Sequence, residues 1–199
     1  MAKLHGIGSG KPGSDRRRGH PISREAQLLL DVPAAYGGRG AWLDRRSWPQ
    51  LQLLLERCRE DLALYHGTTP GKAAARLLAR IDPPGGGRRR CFLAGLFDWN
   101  GELCAVVDVT RREPDDGDWW LGLILVRPDL RGRGIGADVV QALEQWVRAE
   151  GGRAIFVAVQ RRNLPALHFA RRTGFVLEGE TSSAPSGPGK VDLLVRWVA

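Results

Sequence analysis

The sequence predicts an α/β (α+β) fold, a mixed β-sheet flanked by helices, and three observations predict it. Two β-like runs, Arg90 to Phe97 and Leu103 to Val109, meet at Asp98-Trp99-Asn100-Gly101, where the Asn-Gly pair signals a hairpin. Two apolar runs, Trp119 to Val126 and Ala154 to Val159, enclose an amphipathic helical stretch, so the crossover rule makes them parallel strands. Ahead of all these, apolar residues recur at three- and four-residue steps, the helical period.

Taken in order, residues 1–23 are rich in Gly, Ser and basic side chains and have little to bury, so they read as a disordered basic tail. Residues 24–199 read as one domain. Ala26 to Val32 suits a first strand, broken by Pro33 to Gly40. From Ser47 to Tyr65, Leu51, Leu54, Leu55, Cys58, Leu62 and Tyr65 form one apolar stripe. Ser47 suits the N-cap of that helix, with Pro49 in its first turn. A second helix runs from Pro70 to Ile81 and is closed by Asp82-Pro83-Pro84-Gly85. Trp119 to Val126 is apolar enough for a strand buried on both faces. Ile135, Val139, Val140, Leu143, Trp146 and Val147 trace the core face of the next helix, which ends at Gly151-Gly152. Pro165 to Thr173 is the last helix. Phe175 to Leu177 and Val191 to Val198 are the last strands, with a Gly/Ser/Pro loop, Glu178 to Lys190, between them.

The chain has 199 residues, 43% of them hydrophobic, enough for one buried core. No apolar stretch reaches membrane-helix length, and Met1 to Pro21 lacks the apolar centre of a secretory signal. Cys58, Cys91 and Cys104 show no CxxC spacing and suit reduced thiols in a cytoplasmic protein. His5, His20, His66 and His168 are scattered, which argues against a metal site. Net charge is +8, and Lys3, Lys11, Arg16, Arg17 and Arg18 against Asp15 put about half of it in the tail. A second basic run, Arg88-Arg89-Arg90, follows three glycines. Neither run is interleaved with aromatics, and no helix-turn-helix pattern accompanies them, so the charge argues weakly for nucleic acid.

The segment Arg131-Gly132-Arg133-Gly134-Ile135-Gly136 stands directly before a helix. Missing side chains let the backbone approach a ligand and take positive φ where needed. The N–H groups of the turn and first helical turn then converge on an anion, with Arg131 and Arg133 adding charge. A pyrophosphate suits that place. The spacing fits neither a Rossmann fingerprint nor a P-loop, since Val139 stands where a third glycine belongs and no Gly-Lys-Ser/Thr exists.

Ile124-Leu125-Val126-Arg127-Pro128, followed by Arg131-x-x-Gly134-x-Gly136, resembles the acetyl-CoA motif of the GNAT superfamily of N-acetyltransferases. About thirty residues further on, Asn163-x-x-Ala166 and Gly174-Phe175 resemble its second motif. The order of elements is similar too, so the resemblance covers about residues 24–198. It implies a mostly antiparallel sheet whose central parallel pair, Trp119–Val126 and Ala154–Val159, splays apart to admit the pantetheine arm of acyl-CoA. The Ile124-Leu125-Val126 segment would meet that arm, through the backbone groups of Ile124 and Val126. The amides from Gly132 to Ala137 would hold the pyrophosphate, and Asn163 would contact the cofactor. The implied activity is direct transfer of an acetyl or short acyl group to a primary amine on a small molecule or peptide. The implied setting is a cytoplasmic monomer or homodimer with no metal and no membrane partner.

That transfer needs a base, since a lysine-like ammonium has a pKa of about 10.4, an oxyanion donor, which the resemblance places at the Val126 amide, and an acid for the departing thiolate. The family's positions for these ionisable groups hold Ala170, Ala158 and Trp120 here. No catalytic residue is therefore assigned, and a CoA-binding module with little catalysis is the alternative. Asp108, Asp118 and Glu102 lie near the ends of candidate strands, where each could act as a distant base through a water chain, but they read first as turn or surface carboxylates. His168 should face away from the thioester. Tyr65, His66, Trp119 and Trp120 are candidates to line the acceptor site, although the two tryptophans fit a plain core at least equally well.

Overall fold

In the computed structural model, residues 39–65, 69–81, 89–112, 117–181 and 191–198 are described. The expected tail, the Ala26–Val32 strand, Arg88 and His66 lie outside them. The first described strand is instead β1, Arg39–Trp42. A 3-10 turn, Arg45–Ser47, leads into α1, Trp48–Arg57, then α2, Arg59–Tyr65, and α3, Pro70–Ile81. The hairpin strands are β2, Arg89–Phe97, and β3, Leu103–Arg112, followed by β4, Asp118–Val126. Then come α4, Ile135–Ala149, β5, Ala154–Gln160, α5, Leu164–Arg172, β6, Val176–Thr181, and β7, Val191–Trp197.

Two local expectations change. The Ser47–Tyr65 helix is two helices meeting at Cys58, although the apolar stripe continues across the break, with Leu51, Leu54, Leu55, Cys58 and Leu62 all buried. Ser47 does stand at the N-cap of α1, but its side chain makes no cap there. Its Oγ accepts from the Asp44 amide at 3.1 Å, because the hydroxyl completes a capping box on the preceding 3-10 turn.

Among the described residues, seven strands form one sheet in the order β1-β2-β3-β4-β5-β7-β6. Every neighbouring pair is antiparallel except β4 and β5, as the intervening helix requires. That parallel pair is short: Asp118 meets Ala154, Trp119 meets Ile155 and Trp120 meets Phe156, and there the pairing stops. Beyond Trp120 the strands part, leaving the facing edges of 121–126 and 157–160 unpaired with each other.

The sheet carries a core on each face. On one side α4 packs Ile135, Val139, Leu143, Trp146 and Val147 against Ala105, Val107, Val109 and Ile155. On the other, α1, α2 and α3 pack Leu51, Leu55, Leu62 and Leu77 against Leu93 and Val106. A bulge joins β3 to β4, where Asp108 pairs with Leu123 but Val109 with Leu121, so Gly122 is the extra residue. One extra residue reverses the alternation. Trp119 and Leu121 therefore face the α4 core, whereas Leu123 and Leu125 face the α1–α3 core. The apolar run of β4 is thus explained by the bulge, and its alternate residues are only half-buried rather than buried on both faces.

Candidate active site

The gap between β4 and β5 opens into a cavity of about 410 Å³. Its walls come from the β4 segment 121–126, the β5 segment 157–160, the glycine loop, α5 from its Asn163 cap to Arg172 and Thr173, and two residues of α2, Asp61 and Leu64. The cavity therefore reaches both faces of the sheet. Its lining is mainly apolar, with Asn163, Gln160 and Thr173 adding polar groups.

Each glycine of the loop has its own reason. Gly132 and Gly134 hold φ of +73° and +90°, a left-handed backbone that other residues adopt only at a cost, and a β-carbon on either would meet nothing within 4 Å. Gly136 is required by packing instead, since a β-carbon there would lie 2.9 Å from Cε2 of Phe169. The first i to i−4 bond of α4 runs from the Asp138 amide to the Gly134 carbonyl. The amides of Ile135 and Gly136 precede it and, by helix geometry, have no acceptor within the helix. Ala137, expected to share in anion binding, already donates to the Gly134 carbonyl at 2.8 Å.

Arg131 does not simply add charge to this loop. Its Nε donates to the Val126 carbonyl at 2.9 Å and its Nη2 to Oδ2 of Asp61 at 2.6 Å, so the side chain turns back over the end of β4 toward α2. The Val126 carbonyl, expected to pair with pantetheine, thus has a donor from within the chain, and Cys58 Sγ lies 3.7 Å from the same oxygen. Burial pushes the Cys58 thiol up, against the opposing pull of the Arg131 charge. Behind the strand end, Arg127 ties Asp98, Glu102 and Asp129 together at 2.9–3.2 Å and pins the β2–β3 hairpin beneath the loop.

Asn163 caps α5, its Oδ1 accepting from the Ala166 amide at 3.2 Å, and it lines the cavity, which brings it toward Ile124, Val126 and the loop. Ala158 is on the wall as well, but Ala170 is buried in the α4-side core. His168 is exposed and lies off the wall. Trp119 is fully buried, edge-on to Trp146 at 4.9 Å and stacked on Phe92, so it is a core residue. Trp120 stacks on Phe156 at 5.3 Å where the strands are still paired. Tyr65 ends α2, one residue beyond Leu64 on the wall, and its side chain lies outside the described set.

The carboxylates also move. Glu102 joins the Arg127 cluster and Asp118 lies 3.5 Å from Arg153, both near the surface. Asp108, read as a turn or surface group, sits in the middle of β3 at 2% exposure. Sequence reasoning missed Asp61 and the Gly122 bulge. A glycine inside a strand-like run was the one signal for the bulge.

A splayed parallel pair above a positive-φ glycine loop matches what the sequence motifs implied. Residues 48–175 match the acetyltransferase (GNAT) family. The chain belongs to that family. Among curated relatives, the L-methionine sulfoximine/L-methionine sulfone acetyltransferase of Pseudomonas paraeruginosa is 35% identical over 57 residues, 29% of this chain and 33% of that protein. This chain thus matches only about a third of that relative's length. Solved structures share the fold of this GNAT protein. An acetyl transferase of Salmonella typhimurium that modifies the N-terminal serine of ribosomal protein L7/L12 superposes with TM-score 0.69 at 18% identity, covering 85% of this chain and 99% of that one. The ribosomal-protein-S5-alanine acetyltransferase of Vibrio fischeri gives TM-score 0.64 at 19% identity, covering 81% and 93%. Among the described residues, no helix is long and apolar enough to cross a membrane.

Proposed function

We propose that this GNAT protein transfers an acetyl or short acyl group from acyl-CoA to a primary amine by direct attack. The observation that carries the proposal is the gap between β4 and β5, which ends on the glycine loop. An extended arm laid in that gap meets strand-edge N–H and C=O groups that lack a neighbouring strand. The pyrophosphate then falls on the amides of Gly132 to Gly136, with Arg133 beside it and Asn163 opposite. The relatives named above are an acetyltransferase of L-methionine sulfoximine and L-methionine sulfone and two acetyltransferases of ribosomal proteins, one of which modifies an N-terminal serine. A cationic amine on a small molecule or a peptide terminus is the corresponding acceptor class here.

The chemistry asks the chain for three things. The acyl carbonyl must lie beside a backbone amide of β4, the amine must approach from the α1–α3 side, and water must be kept out. The apolar lining of the cavity serves the last. The thiolate of CoA is a competent leaving group, so Ala170 in place of an acid is tolerable.

The test follows CoA thiol release across a panel of amino acids, polyamines and N-terminal peptides, alongside calorimetric titration of acetyl-CoA. Turnover with at least one amine is expected, and Gly134→Glu should abolish acetyl-CoA binding by placing an acidic side chain where the pyrophosphate belongs. Binding without thiol release across the panel would leave a cofactor-binding module, and no binding would end the reading.

A further inference from the structure

Trp120 and Ala158 stand where the sequence resemblance implies ionisable groups, and the structure puts both on one face of the sheet. Residues opposite each other in a ladder share a face. Trp120 is flanked by Thr110 on β3 and Phe156 on β5, while Ala158 is opposite Leu193 on β7. Their chain neighbours Trp119, Ile155 and Val159 belong to the α4 core, so Trp120, Phe156, Ala158 and Leu193 face the α1–α3 side. The α1–α3 core stops at β4, however, and among the described residues none of its members comes from β5 or β7. Beyond it these four uncharged side chains are only half-buried. Trp120 and Phe156 lie 5.3 Å apart with ring planes 26° from parallel, and they form the last pairing before the gap opens. Two residues further along β5, Ala158 offers only a methyl group and lies on the cavity wall. On β4 the corresponding place above Gly122 is filled by the Asp108 carboxylate, 2.6 Å from where a β-carbon would stand. The step from two large rings down to one methyl therefore falls at Ala158. It leaves a recess at the inner end of the gap, with Trp120 and Phe156 behind it and Leu193 at its flank.

We infer that Trp120, Phe156, Ala158 and Leu193 form an acceptor subsite that takes the side group of the amine substrate, and that this group is aromatic and uncharged. The inference rests on the acyl-transfer reading above, in which the amine approaches from this face of the sheet. A flat ring laid over the Ala158 methyl meets the edges of Trp120 and Phe156, and edge contacts of this kind are favoured between aromatic rings. A polyamine would bring its further charges into an apolar recess without partners, which is costly. Asp61, the one carboxylate among the described wall residues, is already held by Arg131. A longer side chain at position 158 would fill the recess, so alanine there exchanges an ionisable group for room. The ring stands apart from the reacting atoms, so its contacts are the same before and during acyl transfer and act on KM rather than kcat.

The decisive experiment compares acceptors that share one α-amino head and differ in side group, the amides of phenylalanine, alanine and lysine, by thiol release at saturating acetyl-CoA. Wild-type kcat/KM should favour the phenylalanine amide over the alanine amide by about 30-fold or more, mainly through KM. Trp120→Ala should bring that ratio to within about threefold of unity, and Trp120→Phe should keep most of it. Ala158→Leu, which fills the recess rather than stripping it, should lower the ratio in the same way and serves if Trp120→Ala fails to fold. A wild-type ratio near one, a preference for the lysine amide, or an equal loss on the phenylalanine and alanine amides in either variant would overturn the inference. If no acceptor releases thiol, the acyl-transfer reading falls, and calorimetric titration of phenylalanine amide into the CoA-loaded protein then decides the subsite alone. Saturable binding that Trp120→Ala removes would uphold the subsite, and no binding would end it as well.

Discussion

Nη2 of Arg131 and Oδ2 of Asp61 lie 2.6 Å apart, and this contact ties the glycine loop to α2 across the end of β4. The same guanidinium holds the Val126 carbonyl, so loop, strand end and α2 share one side chain.

Both partners are partly exposed, so the ion pair itself contributes little to folding, less than about 1 kcal/mol. Asp61→Asn should therefore leave the urea midpoint nearly unchanged. Arg131→Ala removes the donor from the Val126 carbonyl and frees α2 from the loop. We expect it to raise the KM for the acceptor and the Kd for acetyl-CoA together, with Arg131→Lys rescuing little, because an ammonium cannot span both oxygens as the guanidinium does. Steady-state kinetics beside calorimetry will read both constants.

At Gly136 the expected damage is steric. A methyl group 2.9 Å from the Phe169 ring forces α4 and α5 apart, and Gly136→Ala should cost about 1–3 kcal/mol in stability. Phe169→Leu in the same chain should recover part of that loss. An additive effect of the two substitutions in urea denaturation would show that the contact is not the cause.

Cys104 supplies a pH prediction. Burial first, and the nearby Asp98 charge second, push its thiol from 9.0 up to about 11, while Sγ donates to the Leu96 carbonyl at 3.0 Å. The folded protein thus holds this proton more tightly than the unfolded chain. The contribution is fully present below pH 9.0 and is lost as pH rises toward about 11. Between those values the wild-type urea midpoint should fall more steeply with pH than that of Cys104→Ala. Parallel slopes would refute the assignment.

How much was legible beforehand differs from one residue to the next. The Asn-Gly hairpin, the β4-α4-β5 crossover and the loop before α4 were readable because each is written in contiguous residues with strong local periodicity or turn chemistry. The side-chain cap at Ser47 was misread because a second claimant, the Asp44 amide, competes for the same hydroxyl. Trp119 looked equally fit for a pocket or a core, and only its neighbours Phe92 and Trp146 decide the matter.

By itself, then, the sequence determined the order of elements from the β2–β3 hairpin onward, the parallel central pair and the place of the glycine loop, since these follow from local patterns and from the handedness of the crossover. Tertiary structure alone decided where side chains distant in sequence meet. The bulge at Gly122 exists only because β3 and β4 pair in one register, and that register puts Asp108 behind the cavity wall. Arg131 reaches Asp61 across seventy residues of chain, a contact that no local pattern encodes.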